Sequence, residues 1–237
     1  MASTSETGHA KNVANFEDLI SFCTGYGASY NPSKAAIKLP ALTSIFTDAK
    51  ASLSNINNLL PAFNVAIGQR EAAYEPLSKL ITRVVNASEA TDISKQVQDD
   101  IKTIARKLQG KRATQKKEET PPNPENPAEE PTKSISASQM SFDQRIENFD
   151  KLIQLLASQP DYIPNETELT VAELGNLLLQ LRTKNTEAIN AFTPLSNARI
   201  SRNTLLYAKE SGLVDISIDV KSYVKSLYGA TSQNTNN

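Results

Sequence analysis

The sequence predicts an all-α protein in which a unit of short helix, long helix and closing helix occurs twice in tandem, the two copies packing as a pseudo-twofold helical bundle. Three observations lead there. Residues 15–60 realign on residues 148–192 at an offset of 133 that becomes 132 in a connecting loop, with NFEDLI over NFDKLI, Tyr30-x-Pro32 over Tyr162-x-Pro164 and Leu42 over Leu174. Apolar residues then recur over long stretches in alternating steps of four and three, the period of a coiled-coil-like seam. Only 8 Gly and 6% aromatic residues argue against a β protein built on tight turns. Repeats of this kind are normally supersecondary units that cannot cover their own apolar faces alone.

Residues 1–14 are polar and predict a disordered N-terminus; repeat 1 spans 15–110. Its short helix carries Phe16, Leu19, Ile20 and Cys23 and stops before the Tyr-x-Pro turn, where proline drives the preceding residue out of the helical region. The long helix opens at Pro40, a favoured first-turn position, and its stripe runs through Leu42, Phe46, Ala49, Leu53, Ile56, Leu60, Phe63, Ile67, Arg70 and Tyr74 to Leu77, Ile81 and Val84. Pro61 should kink this helix, and Pro76 is a further candidate for an interruption. The closing helix carries Ile93, Val97, Ile101, Ile104 and Leu108 and ends at Gly110.

Residues 111–140 are rich in Pro, Glu and Lys and cannot bury enough apolar surface to offset the entropy of ordering, so they read as a linker. Repeat 2 spans 141–229. Ser141 and Gln144 form a capping-box pattern ahead of Phe142, Ile146, Phe149, Ile153 and Leu156. Thr170 and Glu173 form another ahead of a looser stripe through Leu174, Leu178, Leu181, Asn185, Ala188, Phe192, Leu195, Arg199, Arg202 and Leu206. Pro194 predicts a kink and Gly212 the end of this helix. DISIDV at 215–220 matches DISKQV at 92–97 at an offset of 123, which makes the second copy about nine residues shorter before its closing helix of Ile216, Val220, Val224 and Leu227. Residues 230–237 are polar and predict a disordered tail.

Composition narrows function mainly by exclusion. Net charge is −1, from 25 basic and 26 acidic residues, so no overall field steers the chain toward nucleic acid or an anionic membrane. The local basic cluster of Arg106, Lys107, Lys111, Arg112, Lys116 and Lys117 lacks interleaved aromatics and runs into Glu118 and Glu119, against a nucleic-acid partner. No apolar run approaches the roughly 18 residues of a membrane helix, and no secretory leader is visible, so a cytoplasmic protein without membrane contact is expected. The single cysteine, Cys23, opposite Leu156, reads as a buried apolar side chain. With one histidine, His9, in the stretch expected to be disordered, neither a Cys/His zinc site nor a histidine-based triad can be assembled. No phosphate-binding glycine loop is present. The expectation is no catalytic residue, no metal and no cofactor.

Five residues stand out as candidate ligand or partner contacts. Arg70 and Arg202 occupy the same seam position in the two copies, and Arg199 lies close to the second. They suit either an anion clamp built on the planar guanidinium or structural arginines at the seam's end. Tyr30 and Tyr162 suit either a loop pinned by one hydroxyl or a paired contact patch. Asn185, a polar residue inside an apolar stripe, suits a register-setting role.

The stretch LRTKNTEAINAFTPLSNARISRNTLLY followed by GLVDISIDVKSYVKSLYGATS, together with the NF-x-x-LI opening and the Tyr-x-Pro turn, resembles a set of uncharacterised bacterial all-helical proteins. The resemblance implies an intracellular helical protein and carries no activity and no catalytic residue. The closing helix of the first copy departs from it, with KTIARKLQG where the second has KSYVKSLYG. The function expected is a non-enzymatic structural or interaction bundle, binding a protein partner or itself. The alternatives are a membrane-acting protein that inserts long hairpins and a binder of small anionic ligands.

Overall fold

The computed structural model describes residues 8–111 and 140–229; the expectations for residues 1–7, for most of the linker and for the tail from residue 230 lie outside the described residues. Within them all regular structure is helical: α1 (His9–Gly25), α2 (Leu39–Tyr74), α3 (Leu77–Glu89), α4 (Lys95–Leu108), α5 (Phe142–Ala157), α6 (Val171–Tyr207) and α7 (Leu213–Tyr228), with single 3-10 turns at Gly27–Ser29, Ala35–Ile37 and Thr167–Leu169.

Local chemistry explains most boundaries. Ser141 Oγ accepts from the Gln144 N–H at 3.2 Å and Thr170 Oγ1 from the Glu173 N–H at 3.3 Å, each satisfying one orphan donor of a helix start. Gly110 and Gly229 follow α4 and α7 with φ of 67° and 85°, values that cost a residue with a Cβ. α6 holds 37 residues, about 55 Å of helix.

The prolines behave in two ways. Pro61 and Pro194 lie inside α2 and α6, and both helices continue through them. Both prolines are exposed, as are Asn57 and Asn190 one turn earlier, so the carbonyls deprived of a donor can bond to water. Pro76, in contrast, divides the long helix expected from the first stripe. The last turn closes with the Glu75 N–H on Glu71 O at 3.0 Å, and the chain restarts as α3. Tyr74 and Leu77 flank this break at 2% and 1% exposure, so redirecting the chain buries both together with Ile81 and Val84. At roughly 1.5–3 kcal/mol per fully buried large side chain, that gain exceeds the loss of one helical hydrogen bond. The first copy therefore has four helices where three were expected.

α1 also begins at His9, inside the stretch expected to be disordered, because Val13 is buried and the first turn has partners in α6, described below.

Two compact units divide the chain, and neither coincides with a sequence copy. One comprises Met1–Val65 with Asn190–Asn237 and the other Ala66–Ile189, so each takes part of both long helices. The core of the first unit brings Phe16 and Cys23 of α1 together with Leu42 of α2, Leu206 of α6 and Ile216 and Val220 of α7. The core of the second joins Ile81 and Val84 of α3, Ile101 and Leu108 of α4, Phe149 and Leu156 of α5 and Leu174 and Leu181 of α6. Cys23 is fully buried, as the sequence suggests, and burial pushes its thiol pKa up.

The turn between α6 and α7 is tight. Glu210 adopts φ 67°, its N–H donating to Asp215 Oδ2 at 2.7 Å, and a Cβ on Gly212 would lie 2.6 Å from Ala208 N and 2.7 Å from Ala208 O. Serine is ordinarily favoured at the cap position Gly212 occupies. Here Gly212→Ser is expected to destabilise the chain by roughly 1–3 kcal/mol, the usual range for overpacking, and a urea titration followed by circular dichroism measures it.

Candidate functional site

Arg70, the seam arginine of the first copy, is half-buried in the second unit. Its guanidinium carbon lies 3.9 Å from the centroid of the Phe142 ring, and its Nη1 donates to Asn185 Oδ1 at 3.3 Å. Asn185, 6% exposed, passes the interaction on by donating from Nδ2 to Asp143 Oδ1 at 2.8 Å. One polar chain thus ties α2, α6 and the first turn of α5, where a carboxylate is favoured by the helix dipole. Arg145 stacks over Tyr74 at 5.0 Å and donates to the Tyr74 carbonyl at 3.3 Å, and Tyr74 meets Phe142 edge-on at 4.8 Å. Burial lowers the Arg145 pKa, partly offset by Tyr74, and pushes the Tyr74 hydroxyl up to about 12, so at neutral pH it is a neutral donor. The Nε atoms of Arg70 and Arg145 are buried without a hydrogen-bond partner.

The first unit carries a plainer version of the same contact. Tyr207, the last residue of α6, lies against the His9 ring at 5.6 Å; its hydroxyl is 2.8 Å from His9 Nδ1 and accepts from Asn12 Nδ2 at 3.1 Å. Arg202 acts on His9 through its charge, and its own Nε and Nη2 donate to Asn203 Oδ1 at 3.2 and 2.8 Å. The offset of 133 pairs His9 with Phe142, Asn12 with Arg145 and Ala10 with Asp143, and the offset of 132 pairs Leu53 with Asn185, so this unit has no equivalent polar chain among its described residues.

Tyr30 and Tyr162 are each 6% exposed, which removes them as surface contacts. Each pins its loop by donating to the carbonyl seven residues on: Tyr30 to Ile37 O at 2.6 Å and Tyr162 to Leu169 O at 2.9 Å. Burial pushes the Tyr162 hydroxyl to about 12. Arg199 is exposed. Arg70 and Arg202 belong to different compact units and meet different neighbours.

An open groove of about 610 Å³ runs between α1 and α7 within the first unit. Leu19, Phe22, Leu213, Val214 and Ile218 give it an apolar floor and lips, while Asp18 stands on the α1 side and Lys221 on the α7 side. Phe22 is 42% and Ile218 58% exposed. Sequence reasoning missed this groove: Phe22 and Ile218 fall outside the buried stripes, and only the pairing of two distant helices makes them neighbours. It also missed Asp143 and Arg145, although the offset that aligns Asn15 with Asn148 was enough to match the first turns of α1 and α5.

Among the described residues no group of three His, Cys, Asp or Glu side chains is placed to hold a metal ion, and no helix is long and apolar enough to cross a membrane. Comparison with family models, curated proteins and solved structures finds no match.

Two outcomes are expected. Asn185→Leu strands the Arg70 guanidinium and costs roughly 1–3 kcal/mol, whereas the double change Arg70→Met with Asn185→Leu recovers most of that loss; a double-mutant cycle by denaturant unfolding checks both. Burial and the Arg202 charge hold the His9 pKa below its ordinary 6.5. The folded chain thus favours neutral His9, whose contribution is complete above the unfolded pKa and is lost as pH falls through and below it. An NMR titration of His9 should give a midpoint under 6.5, and His9→Phe should remove this part of the pH dependence of stability.

Proposed function

We propose that the chain is a duplicated helical scaffold whose two sequence copies pack as a pseudo-twofold helical bundle, and that it serves in the cytoplasm as a non-enzymatic structural or protein-interaction bundle. Paired contacts support the duplication. The Tyr30 and Tyr162 hydroxyls make the same bond to the residue seven positions on. The 3-10 turns at Ala35–Ile37 and Thr167–Leu169, and the starts of α2 at Leu39 and α6 at Val171, share the offset of 132. Both long helices end on a tyrosine whose ring meets the first residue of a short helix.

The interaction reading rests on one observation: large apolar side chains lie exposed on well-packed helices. Ile200 is 61%, Leu179 60% and Ile218 58% exposed. Scattered exposed apolar residues are ordinary, but in the α1–α7 groove Phe22 and Ile218 face a shared opening, as a recognition surface requires. The polar chain through Arg70, Asn185 and Asp143 fits a structural part, because it joins three helices.

Sedimentation velocity combined with cross-linked capture on the full chain tests this reading. Association with itself or with a partner protein is expected, weakened at least tenfold by the combined Ile200→Glu, Leu179→Glu and Ile218→Glu changes at unaltered melting temperature. A strict monomer that captures nothing and turns over a small molecule would overturn it.

A further inference from the structure

The helices that flank the open groove of the first unit have counterparts in the second. α1 corresponds to α5 at an offset of 133: His9 and Phe142 each meet a terminal tyrosine, Asn12 and Arg145 each reach that tyrosine, and Cys23 and Leu156 are fully buried. α7 corresponds to α3 and not, as the short DIS match suggested, to α4. Asp92, Ile93 and Ser94 precede α4, whereas Asp215, Ile216 and Ser217 lie inside the first turns of α7. α7 packs against the 3-10 turn Ala35–Ile37, and α3 packs in the same way against Thr167–Leu169. An ion pair ties each helix to that region, Lys34 to Asp219 and Arg83 to Glu168. The buried residues Leu77, Val84 and Ser88 of α3 match Leu213, Val220 and Val224 of α7 at a constant offset of 136.

α1 and α7 pack directly on each other, so their groove is a surface furrow over that contact; in the second unit α4 packs against both α3 and α5, the counterparts of α7 and α1. Gln109, just past the end of α4, donates from Nε2 to Ser78 O at 3.0 Å and to Thr82 Oγ1 at 2.9 Å. The counterparts of Ser78 and Thr82 are Val214 and Ile218, and both line the groove. Asn148 is 4% exposed in the second unit, while its counterpart Asn15 is exposed on the groove wall. The first unit has no counterpart of α4 among its described helices, α7 being the last of them.

We propose that the α1–α7 groove receives one amphipathic helix from a partner protein, seated as α4 is seated on α3 and α5. Its apolar face carries branched or long aliphatic residues at the spacing of Ile101, Ala105 and Leu108, the buried positions of α4. Its flanks place a basic residue toward Asp18 and an acidic one toward Lys221, which are Lys151 and Val85 at the corresponding positions of the second unit, so a foreign helix carrying both charges binds more tightly than the α4 sequence, which still fits the apolar floor. This is the helix-in-groove mode of recognition, with Phe22 and Ile218 covered on binding. It rests on the duplicated-scaffold reading above and names the kind of partner.

A labelled synthetic peptide of residues 95–110, with Gln98 replaced by Leu to strengthen its apolar face, tests the site on the intact chain by fluorescence anisotropy. Saturable one-to-one binding is expected, weakened at least tenfold by Ile218→Glu and by Phe22→Glu and unchanged by Ile200→Glu. Both groove residues are partly exposed, so melting curves of the variants are expected to match the parent chain. No saturation up to millimolar peptide overturns the proposal, as does binding indifferent to Ile218→Glu, which would report displacement of the chain's own α4. Dimerisation of the free chain that Ile218→Glu abolishes also overturns it, because the occupant is then a second copy. If the peptide fails while association persists in sedimentation and capture, the scaffold reading stands and only the groove assignment falls.

Discussion

Each compact unit closes because a short helix from one part of the chain covers the end of a long helix from the other. In the first unit α1 supplies Phe16 and Cys23 to a core that also needs Leu206 of α6 and Ile216 and Val220 of α7. In the second, α5 supplies Phe149 and Leu156 to a core that needs Ile81 of α3 and Ile101 of α4. The contacts that mark this closure join residues nearly 200 positions apart in one unit, His9 with Tyr207, and about 70 apart in the other, Tyr74 with Phe142. Such closure carries a loop entropy that grows only slowly with length, which burial of several large side chains offsets. A single copy of the repeat lacks a large part of each core.

The two units solve the same packing problem with different chemistry. Where the second has Arg70, Asn185 and Asp143 in one hydrogen-bonded chain, the first has Leu53 and Ala10 at the sequence positions of Asn185 and Asp143, with His9 in place of Phe142. A polar chain at a seam costs desolvation and gains specificity, because only one register satisfies all its members. An apolar seam tolerates slippage but is cheaper to bury. α4 widens the contrast: it packs on both α3 and α5 in the second unit, while an open groove lies between α1 and α7 in the first.

Much of the secondary structure was legible in the sequence, since capping patterns at Ser141 and Thr170, Pro40 and the glycines at 110, 212 and 229 act locally. The apolar stripes marked much of what is buried, although Phe192 and Leu227, both placed in them, are exposed. They could not say which helix covers which face, and for that reason the exchange of partners between copies was not visible. Pro61 and Pro76 show why proline alone is ambiguous. The first sits on an exposed face that water can satisfy; the second stands between Tyr74 and Leu77, whose joint burial requires a change of direction. His9 looked like part of a disordered leader because the composition there is polar, yet one ring and one amide anchored on Tyr207 suffice to order its helical turn. The candidate site was half legible. Arg70 and Asn185 stood out as polar residues in an apolar stripe, but Tyr30 and Tyr162 proved to be internal pins, and the groove exists only in three dimensions.

Among the described residues few polar side chains are buried, while several large apolar ones are exposed. The physical premise of the fold is that folding is shared between the copies. The direct measurement is thermal unfolding, by circular dichroism, of residues 1–110 and 141–237 prepared separately and then mixed. Neither fragment as a monomer should melt cooperatively, and mixing should restore one cooperative transition near that of the intact chain; a monomeric fragment that melts cooperatively alone, close to the intact chain, would contradict the account.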